Sequence, residues 1–275
     1  MLFSDLALSR RLERAEGHSC ARFAEARRRL IPASSAEWME CGGAYAVFNG
    51  VDSPVTQTFG LGIFEELAEA TLDTIEGFFR DRAAPVDHEV SPFAGAAALK
   101  LLCARRYSPI EISNVLYLRV DKPMARDPGN VTARAIESNE GRLWTSVLGR
   151  GWLHEHPELS DFFSENILVS EAREDSVCFV AELDGEPGAA GALCLHGGVA
   201  LFGGAATVPE MRRRGLQAAL FEARLLYAFE HGCDVAMMAA EPGSGSERNA
   251  ERYGFRTAYT RLKWRLSQPG DTTPA

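Results

Sequence analysis

The sequence predicts an α+β protein built from two successive copies of one domain, each a mixed sheet flanked by helices. Three observations lead there. The order strand, turn, strand, long helix, strand, short helix, long strand occurs twice along the 275 residues. The joins share residues: Ser91-Pro92 stands where Glu241-Pro242 stands, and Arg106-Tyr107-Ser108 where Arg252-Tyr253-Gly254 does. Between the runs lies a turn-rich break, Asp121 to Gly129 (DKPMARDPG). A repeat of more than about 100 residues is too long for a solenoid unit and implies a duplicated domain. The expected division is residues 1–125, residues 126–266 and a flexible polar tail at 267–275.

Along the chain, Leu6 to Leu30 is rich in Leu, Ala, Arg and Glu and lacks Pro, so it reads as helix; Gly17-His18-Ser19 is expected to split it into two. Ala44 to Phe48 and Val55 to Leu61 read as strands joined by a turn that opens at Asn49-Gly50. Glu65 to Arg82 reads as helix, Val86 to Val90 as strand, Phe93 to Arg106 as helix introduced by a capping Ser91 and Pro92, and Ile110 to Val120 as strand. Past the break, Gly141 to Leu153 and Pro157 to Val169 read as helical. Strands follow at Val177 to Leu183, Ala189 to Leu195 and Val199 to Val208. Leu216 to His231 keeps helical spacing through Leu216, Ala219, Leu220, Ala223, Leu226 and Tyr227 until Gly232 stops it. Val235 to Ala239 is a strand, Ser246 to Arg252 a short helix and Arg256 to Leu266 the last strand.

Composition excludes several classes. A hydrophobic share of 46% and a charged share of 24% are those of a soluble globular chain. No apolar run approaches the roughly 18–20 residues that cross a membrane. Met1 to Glu13 lacks the order of a secretion signal, so a cytoplasmic protein is expected. A net charge of −9 argues against a broad nucleic-acid surface. The six cysteines form no CxxC pair and suit reduced thiols better than disulfides or zinc.

One stretch carries chemistry. Val208-Pro209-Glu210-Met211-Arg212-Arg213-Arg214-Gly215-Leu216-Gln217-Ala218 joins an apolar strand to an amphipathic helix. A strand-to-helix turn cornered by Gly leaves backbone N–H groups pointing one way, and the helix dipole adds positive potential. Three arginines there run against the usual preference for acids in a first helical turn, so an anion such as pyrophosphate is the expected guest. A solvated helix N-terminus is the competing explanation. The chain has no GxxxxGK loop followed by Ser or Thr, and Gly60-Leu61-Gly62 lacks the third Gly of the dinucleotide fingerprint.

On these residues the segment Leu201 to Leu266 resembles the GNAT superfamily of N-acetyltransferases. Its signature loop is Arg/Gln-x-x-Gly-x-Gly/Ala between the fourth strand and the next helix. Arg212, Gly215 and Gln217 fall on the three fixed places; Gln217 departs from the usual small residue, and Ala218 follows it. Val208-Pro209-Glu210 and Gly254-Phe255 are also typical of the family. The resemblance is strong over Val177 to Leu266 and weaker before. The N-terminal half resembles a degenerate copy, whose junction Gly60 to Glu66 has no arginine and two acids.

The resemblance implies tandem GNAT-like domains with mostly antiparallel mixed sheets, and acetyl-CoA as cosubstrate with no metal. It implies that backbone groups of Ala206 and Val208 meet the pantetheine arm. The N–H groups of Arg213, Arg214, Gly215, Gln217 and Ala218 would hold the pyrophosphate. An amine then attacks the thioester directly. The implied function is N-acetyl transfer to a small amine or a protein amino group, without nucleic acid or membrane; a homodimer stays open. The alternative is a module that binds acyl-CoA without turnover.

Two family residues do not carry over, because the family's Asn and Tyr positions hold Gly243 and Ala250 here. Tyr253, about one turn beyond Ala250, is the substitute acid. Tyr107 holds the matching join in the other copy, so packing is its competing role. Ser246 and Asn249 are candidate cofactor contacts, with helix capping by Ser246 as the alternative. The strand Val199 to Val208 has no acid, so Glu241 is the first candidate base, with dipole stabilisation before Pro242 as the alternative. His196 ends a strand and reads as an exposed turn residue. His154-Glu155-His156 alternates in direction on a helix and does not read as a metal site.

Overall fold

The computed structural model of the chain describes residues 3–122, 129–154, 169 and 172–267. It forms two compact units: Met1–Leu116 together with Ala239–Ala275, and Tyr117–Met238.

The first unit begins with α1, Leu6–Leu30, started by Asp5, whose carboxylate accepts Leu8 N–H at 2.9 Å. The expected break at Gly17-His18-Ser19 is absent: α1 is one helix. Gly17 is there for close approach, since a Cβ on it would stand 2.8 Å from the Tyr45 ring. Arg27, Arg28 and Arg29 occupy the last turn, where cations suit the helix dipole.

Strands β1 (Glu37–Cys41) and β2 (Ala44–Phe48) form a hairpin through Gly42-Gly43, with Trp38 opposite Val47. Sequence patterning missed β1, because it is a half-exposed strand carrying Glu37 and Glu40. Then come β3 (Gln57–Phe59), α2 (Glu69–Arg80), β4 (Asp87–Val90), α3 (Gly95–Ala104) and β5 (Tyr107–Arg119). The helix expected from Phe93 opens as a 3-10 turn, Pro92–Ala94, capped by Ser91; Gly95 at φ +81 separates it from α3. Leu72, Ile75, Phe78 and Phe79 of α2 enter a core with Ala46, Leu61, Val90, Leu102, Tyr107 and Trp264.

The second unit holds β6 (Val131–Ala135), α4 (Gly141–Leu153), β7 (Ser176–Leu183), β8 (Glu186–His196), β9 (Val199–Thr207), α5 (Leu216–Glu230) and β10 (Val235–Ala240). The helix expected over Pro157 to Val169 lies, apart from Val169, outside the described residues. The last elements, α6 (Gly245–Arg252) and β11 (Arg256–Leu266), belong to the first unit.

In the first unit the strand order is β1-β2-β3-β4-β11-β5, and in the second β10-β9-β8-β7-β6. Each unit contains a parallel pair, β3 with β4 in the first and β9 with β10 in the second, spanned by a helical crossover (α2 or α5) as parallel pairing requires. The other registers determined, β1 with β2, β2 with β3, β4 with β11, β6 with β7, β7 with β8 and β8 with β9, are antiparallel. The fold is therefore α+β, with mixed sheet strands flanked by helices in each unit.

The compact units do not follow the division at residues 125 and 266. The helix and strand expected to complete the second copy lie instead in the first unit. Charge and register give the reason. β11 pairs antiparallel with β4 from Leu262↔Val90 to Arg265↔Asp87. Arg265 grips Asp87 with Nε at 2.8 Å and Nη2 at 2.7 Å. Arg261, 3% exposed, reaches Glu13 and Glu16 of α1 and Glu89 of β4. Lys263 reaches Glu111 of β5 at 2.7 Å. The cations of this strand, buried at Arg261 and Lys263 and exposed at Arg265, thus find their carboxylates within this unit.

Candidate functional site

In the second unit, β9 pairs with β10 at Val199↔Val235, Ala200↔Ala236 and Leu201↔Met237, then continues to Thr207. On its other side the register with β8 skips. Ala192 pairs with Gly203 and Ala190 with Ala206, so Gly204 and Ala205 together oppose Gly191. This is a β-bulge, which bends the strand and sharpens its twist. Gly204 supplies the left-handed backbone it needs, at φ +49. The bend falls where pairing with β10 has ended, so past Leu201 that edge of β9 has no paired strand among the described residues.

Helices cover both faces of this sheet. Ala206 faces α4 so closely that a Cβ on Gly151 would stand 2.6 Å from its own. Gly191, next to the partner of Ala206, points to the opposite face, toward Arg224 of α5.

The chain leaves β9 through Val208, which is fully buried. Its N–H donates to Gly188 O at 2.9 Å, and its carbonyl accepts Met211 N–H at 3.0 Å, closing the 3-10 turn Pro209–Met211. The Val208 amide is thus engaged inside the sheet, contrary to its expected role toward a pantetheine arm. Because strand amides alternate in direction, the backbone of Ala206 faces β8 as well, and that of Thr207 faces the open edge.

The loop itself has the geometry of an anion cradle. Arg213 at φ +60 and Gly215 at φ +90 take left-handed backbone and turn the chain into α5. Gly215 is the N-cap, with no side chain accepting from the helix, and the first turn holds no acid. The first bond of the helix runs from Ala219 N–H to Gly215 O at 3.1 Å. The N–H groups of Leu216, Gln217 and Ala218 therefore have no acceptor inside the helix. Arg213, Arg214 and Gly215 are exposed. Among the described residues, a Cβ on Gly215 would meet nothing nearer than Val131 Cγ2 at 3.8 Å. Arg212 turns back and donates Nε to Thr207 O at 3.3 Å. Gln217 turns back too: its Oε1 accepts from the Thr207 hydroxyl at 3.3 Å. The long side chain in place of a small residue therefore folds onto β9 and leaves the backbone approachable. These residues fit a phosphate-bearing ligand.

The other candidates lie in the first unit. Glu241 is exposed, directly after β10, and its carbonyl accepts Ser244 N–H at 3.1 Å. The cap of α6 is Ser244, whose hydroxyl accepts Glu247 N–H at 3.1 Å, so Ser246 is not the cap and stands exposed. Asn249 accepts from Arg252 Nη1 at 2.9 Å. Tyr253 is half-buried at the end of α6, whereas Tyr107 is buried. The Tyr107 hydroxyl donates to Glu76 Oε1 at 3.1 Å and lies 3.0 Å from His88 Nε2. The two matching tyrosines thus have different surroundings.

Sequence reasoning passed over Glu247. This buried carboxylate accepts from Asn114 Nδ2 at 2.5 Å and from Gly243 N–H at 2.5 Å. The Asn114 bond, then the Gly243 bond, hold its pKa below the usual range, which suits a fixed anion and not a base. Its acid sits three residues after the capping Ser244, and that spacing was the available signal. Among the described residues no group of three or more His, Cys, Asp or Glu is placed to hold a metal ion. Glu155 and His156 lie outside those residues. No described helix is long and apolar enough to cross a membrane.

Residues 141–255 match the model of the acetyltransferase (GNAT) family. Similar solved structures include a GCN5-related N-acetyltransferase from Kribbella flavida, 18% identical, with a TM-score of 0.63 over 91% of this chain and 96% of that one. A GCN5-related N-acetyltransferase from Sphaerobacter thermophilus is 17% identical, with a TM-score of 0.54 over 83% and 78%. A tandem GNAT protein from the clavulanic acid biosynthesis pathway is 15% identical, with a TM-score of 0.56 over 83% and 79%. No curated protein matches the sequence. At these identities the likeness concerns the fold.

Proposed function

We propose that the protein is an N-acetyltransferase that moves an acetyl group from acetyl-CoA to an amine, on the premise of the match of residues 141–255 to the GNAT family model. One observation carries the proposal: the start of α5, with no side-chain cap, left-handed backbone at Arg213 and Gly215, and no described atom closer than Val131 Cγ2 to a Cβ built on Gly215. Acetyl-CoA supplies an acyl group already activated as a thioester. The N–H groups of Arg213, Arg214, Gly215, Gln217 and Ala218 bind its pyrophosphate, helped by the charges of Arg212, Arg213 and Arg214. The open edge of β9 receives the pantetheine arm, through Thr207 and the strand around Ala206. Ser246 and Asn249 serve as further cofactor contacts.

Glu241 accepts the proton of the attacking amine, and Tyr253 returns one to the departing sulfur. The acceptor is a small amine or a protein amino group, and the setting is the cytoplasm. In sequence terms residues 1–125 and 126–266 are the two copies, with 267–275 outside both.

A panel of amines with acetyl-CoA, read by steady release of CoA thiol, tests the proposal. At a hundredfold excess over its dissociation constant, acetyl-CoA should stabilise the fold by about 2.7 kcal/mol. A thermal shift with ATP or NAD but none with acetyl-CoA would refute it. Binding without turnover across the panel would favour the second possibility, a non-catalytic acyl-CoA-binding module. The Gly243 and Ala250 departures from the family pattern keep that possibility in play.

A further inference from the structure

Helix α5 carries a charge that the proposed transfer does not use. Arg224 is 1% exposed, and among the described residues no carboxylate pairs with it. Its Nε donates to Leu220 O at 3.1 Å and its Nη1 to Ala192 O at 3.3 Å. The guanidinium lies 4.6 Å from the centre of the Phe202 ring and 5.2 Å from that of Phe221. Its Nη2 has no hydrogen-bond acceptor among the described residues. Burial pushes its pKa down to about 9. A lone buried charge is costly, and apolar side chains in the same volume are often more stable. Packing alone therefore does not account for an arginine here.

Its location does. Ala192 is where the β8–β9 register resumes beyond the bulge, and its carbonyl is held by Arg224. Gly191 opposes the bulged pair Gly204-Ala205, and its carbonyl accepts Trp144 Nε1–H at 3.1 Å from α4. Two consecutive carbonyls beside the irregular ladder are thus taken by side chains from the two covering helices. The guanidinium also fills the room of a missing side chain. A Cβ on Gly191 would stand 3.2 Å from Arg224 Nη1 and 3.3 Å from Ala205 Cβ. Phe202, which stacks under the guanidinium, is the first β9 residue past the last pair with β10.

We propose that Arg224 is a positioning residue: through Ala192 and Phe202 it holds the β8–β9 bulge, and with it the open β9 edge that receives the pantetheine arm. It touches no part of the cofactor. The proposal rests on the acetyl-CoA function proposed above and adds a determinant of the pantetheine half of that site, separate from the pyrophosphate loop.

Calorimetric titration with two probes tests it: acetyl-CoA, and 3′-phospho-ADP, which keeps the pyrophosphate and lacks the pantetheine arm. Arg224→Met should keep or raise the melting temperature, because an unpaired buried charge is replaced by apolar volume. It should bind acetyl-CoA about tenfold or more weakly, as expected when backbone hydrogen bonds to a ligand are misplaced. Its affinity for 3′-phospho-ADP should stay within about twofold of wild type, since those contacts are made at the far loop. Arg224→Lys should fall between, able to reach Ala192 O but without the planar fork. Undiminished acetyl-CoA affinity in Arg224→Met overturns the proposal. So does equal loss of both ligands together with stability, which marks a general structural role. If Arg224→Met does not fold, Gly191→Ala carries the same two titrations, because it crowds Arg224 and Ala205 from β8. Wild-type protein that binds neither probe defeats the acetyl-CoA function itself, and this proposal with it. Wild-type binding that Arg224→Met leaves intact defeats only the role of Arg224.

Discussion

Glu13 Oε2 accepts the Gly60 N–H at 3.2 Å. Gly60 opens the turn after β3, the place in the first copy that the arginine loop holds in the second. Glu13 is buried, and it also takes bonds from the Tyr259 hydroxyl at 2.9 Å and from Arg261. Burial raises its pKa, with Arg261 opposing and Glu16 and Glu89 adding to the rise. The turn's amide thus already has a carboxylate from the protein itself, and the arginine at this turn, Arg10, is spent on the carbonyls of Ile63 and Phe64 at 2.6 and 3.5 Å. One acetyl-CoA should therefore bind per chain. Calorimetry that returned two equivalent sites would contradict this account of the first unit.

Gly215→Glu should separate binding from folding. At φ +90 any side chain is strained, and this one also brings a negative charge to the start of α5. Among the described residues a Cβ there meets only Val131 Cγ2, at an ordinary 3.8 Å, so the protein should stay folded. Acetyl-CoA affinity should drop by orders of magnitude, roughly a hundredfold or more. Circular dichroism and titration on the same sample decide it; unchanged affinity would move the pyrophosphate elsewhere.

Glu241→Gln and Tyr253→Phe address chemistry. If Glu241 is the base, its amide variant should keep cofactor affinity and lose about a hundredfold in turnover, together with the acid limb of the pH–rate profile. Tyr253→Phe should likewise keep cofactor affinity and lower turnover, because the hydroxyl that returns a proton to the sulfur is gone; unchanged turnover would leave Tyr253 a packing group. A large loss of turnover with intact binding in Tyr253→Phe would make that tyrosine the acid. Unchanged turnover in Glu241→Gln would pass the role to another residue or to water.

His88 gives the fold an acid-sensitive limb. It is completely buried on β4, and burial drives its pKa down to about 3 from an ordinary value of 6.5. The neutral ring packs against Tyr107 at a tilt of 32°, with ring centres 4.9 Å apart. As pH falls through 6.5 the unfolded chain takes up a proton that the folded chain refuses until about 3. Stability is therefore lost as pH falls across that window, by about 1.4 kcal/mol per unit at most. Glu13 and Glu89, with pKa values raised chiefly by burial, act in the opposite sense near their own titration. Comparison with His88→Gln isolates the histidine. Between pH 7 and 5 the wild type should lose about 2 kcal/mol more than the variant in urea unfolding. Parallel losses would show that His88 can be protonated in the fold.

Much of the local structure was legible in the sequence. Gly141–Leu153 and Arg256–Leu266 appear with the expected bounds, because each has strong periodicity between clear breakers. Two edge strands escaped notice. β1 and β6 are short, and neither carries a continuous apolar run. The face of α5 was also misjudged: Leu226 is exposed while Arg224 is buried, since the side chains facing a helix, and not its hydropathy, decide which arginine goes inside.

By itself the sequence determined most of the elements, their twofold order and the arginine-rich turn, because helix spacing, strand alternation and a glycine at a corner are encoded within a few residues. Tertiary structure decided which strands pair and which polar groups are buried. It placed β11 beside β4, where Arg261, Lys263 and Arg265 meet carboxylates from Asp87, Glu89, Glu13, Glu16 and Glu111. It also put Glu13 on Gly60 and Arg224 on the β8–β9 bulge. Those outcomes depend on partners 47, 32 and up to 248 residues away. No local pattern encodes such partners; they are selected only when burial makes an unpaired charge or amide too costly to leave alone.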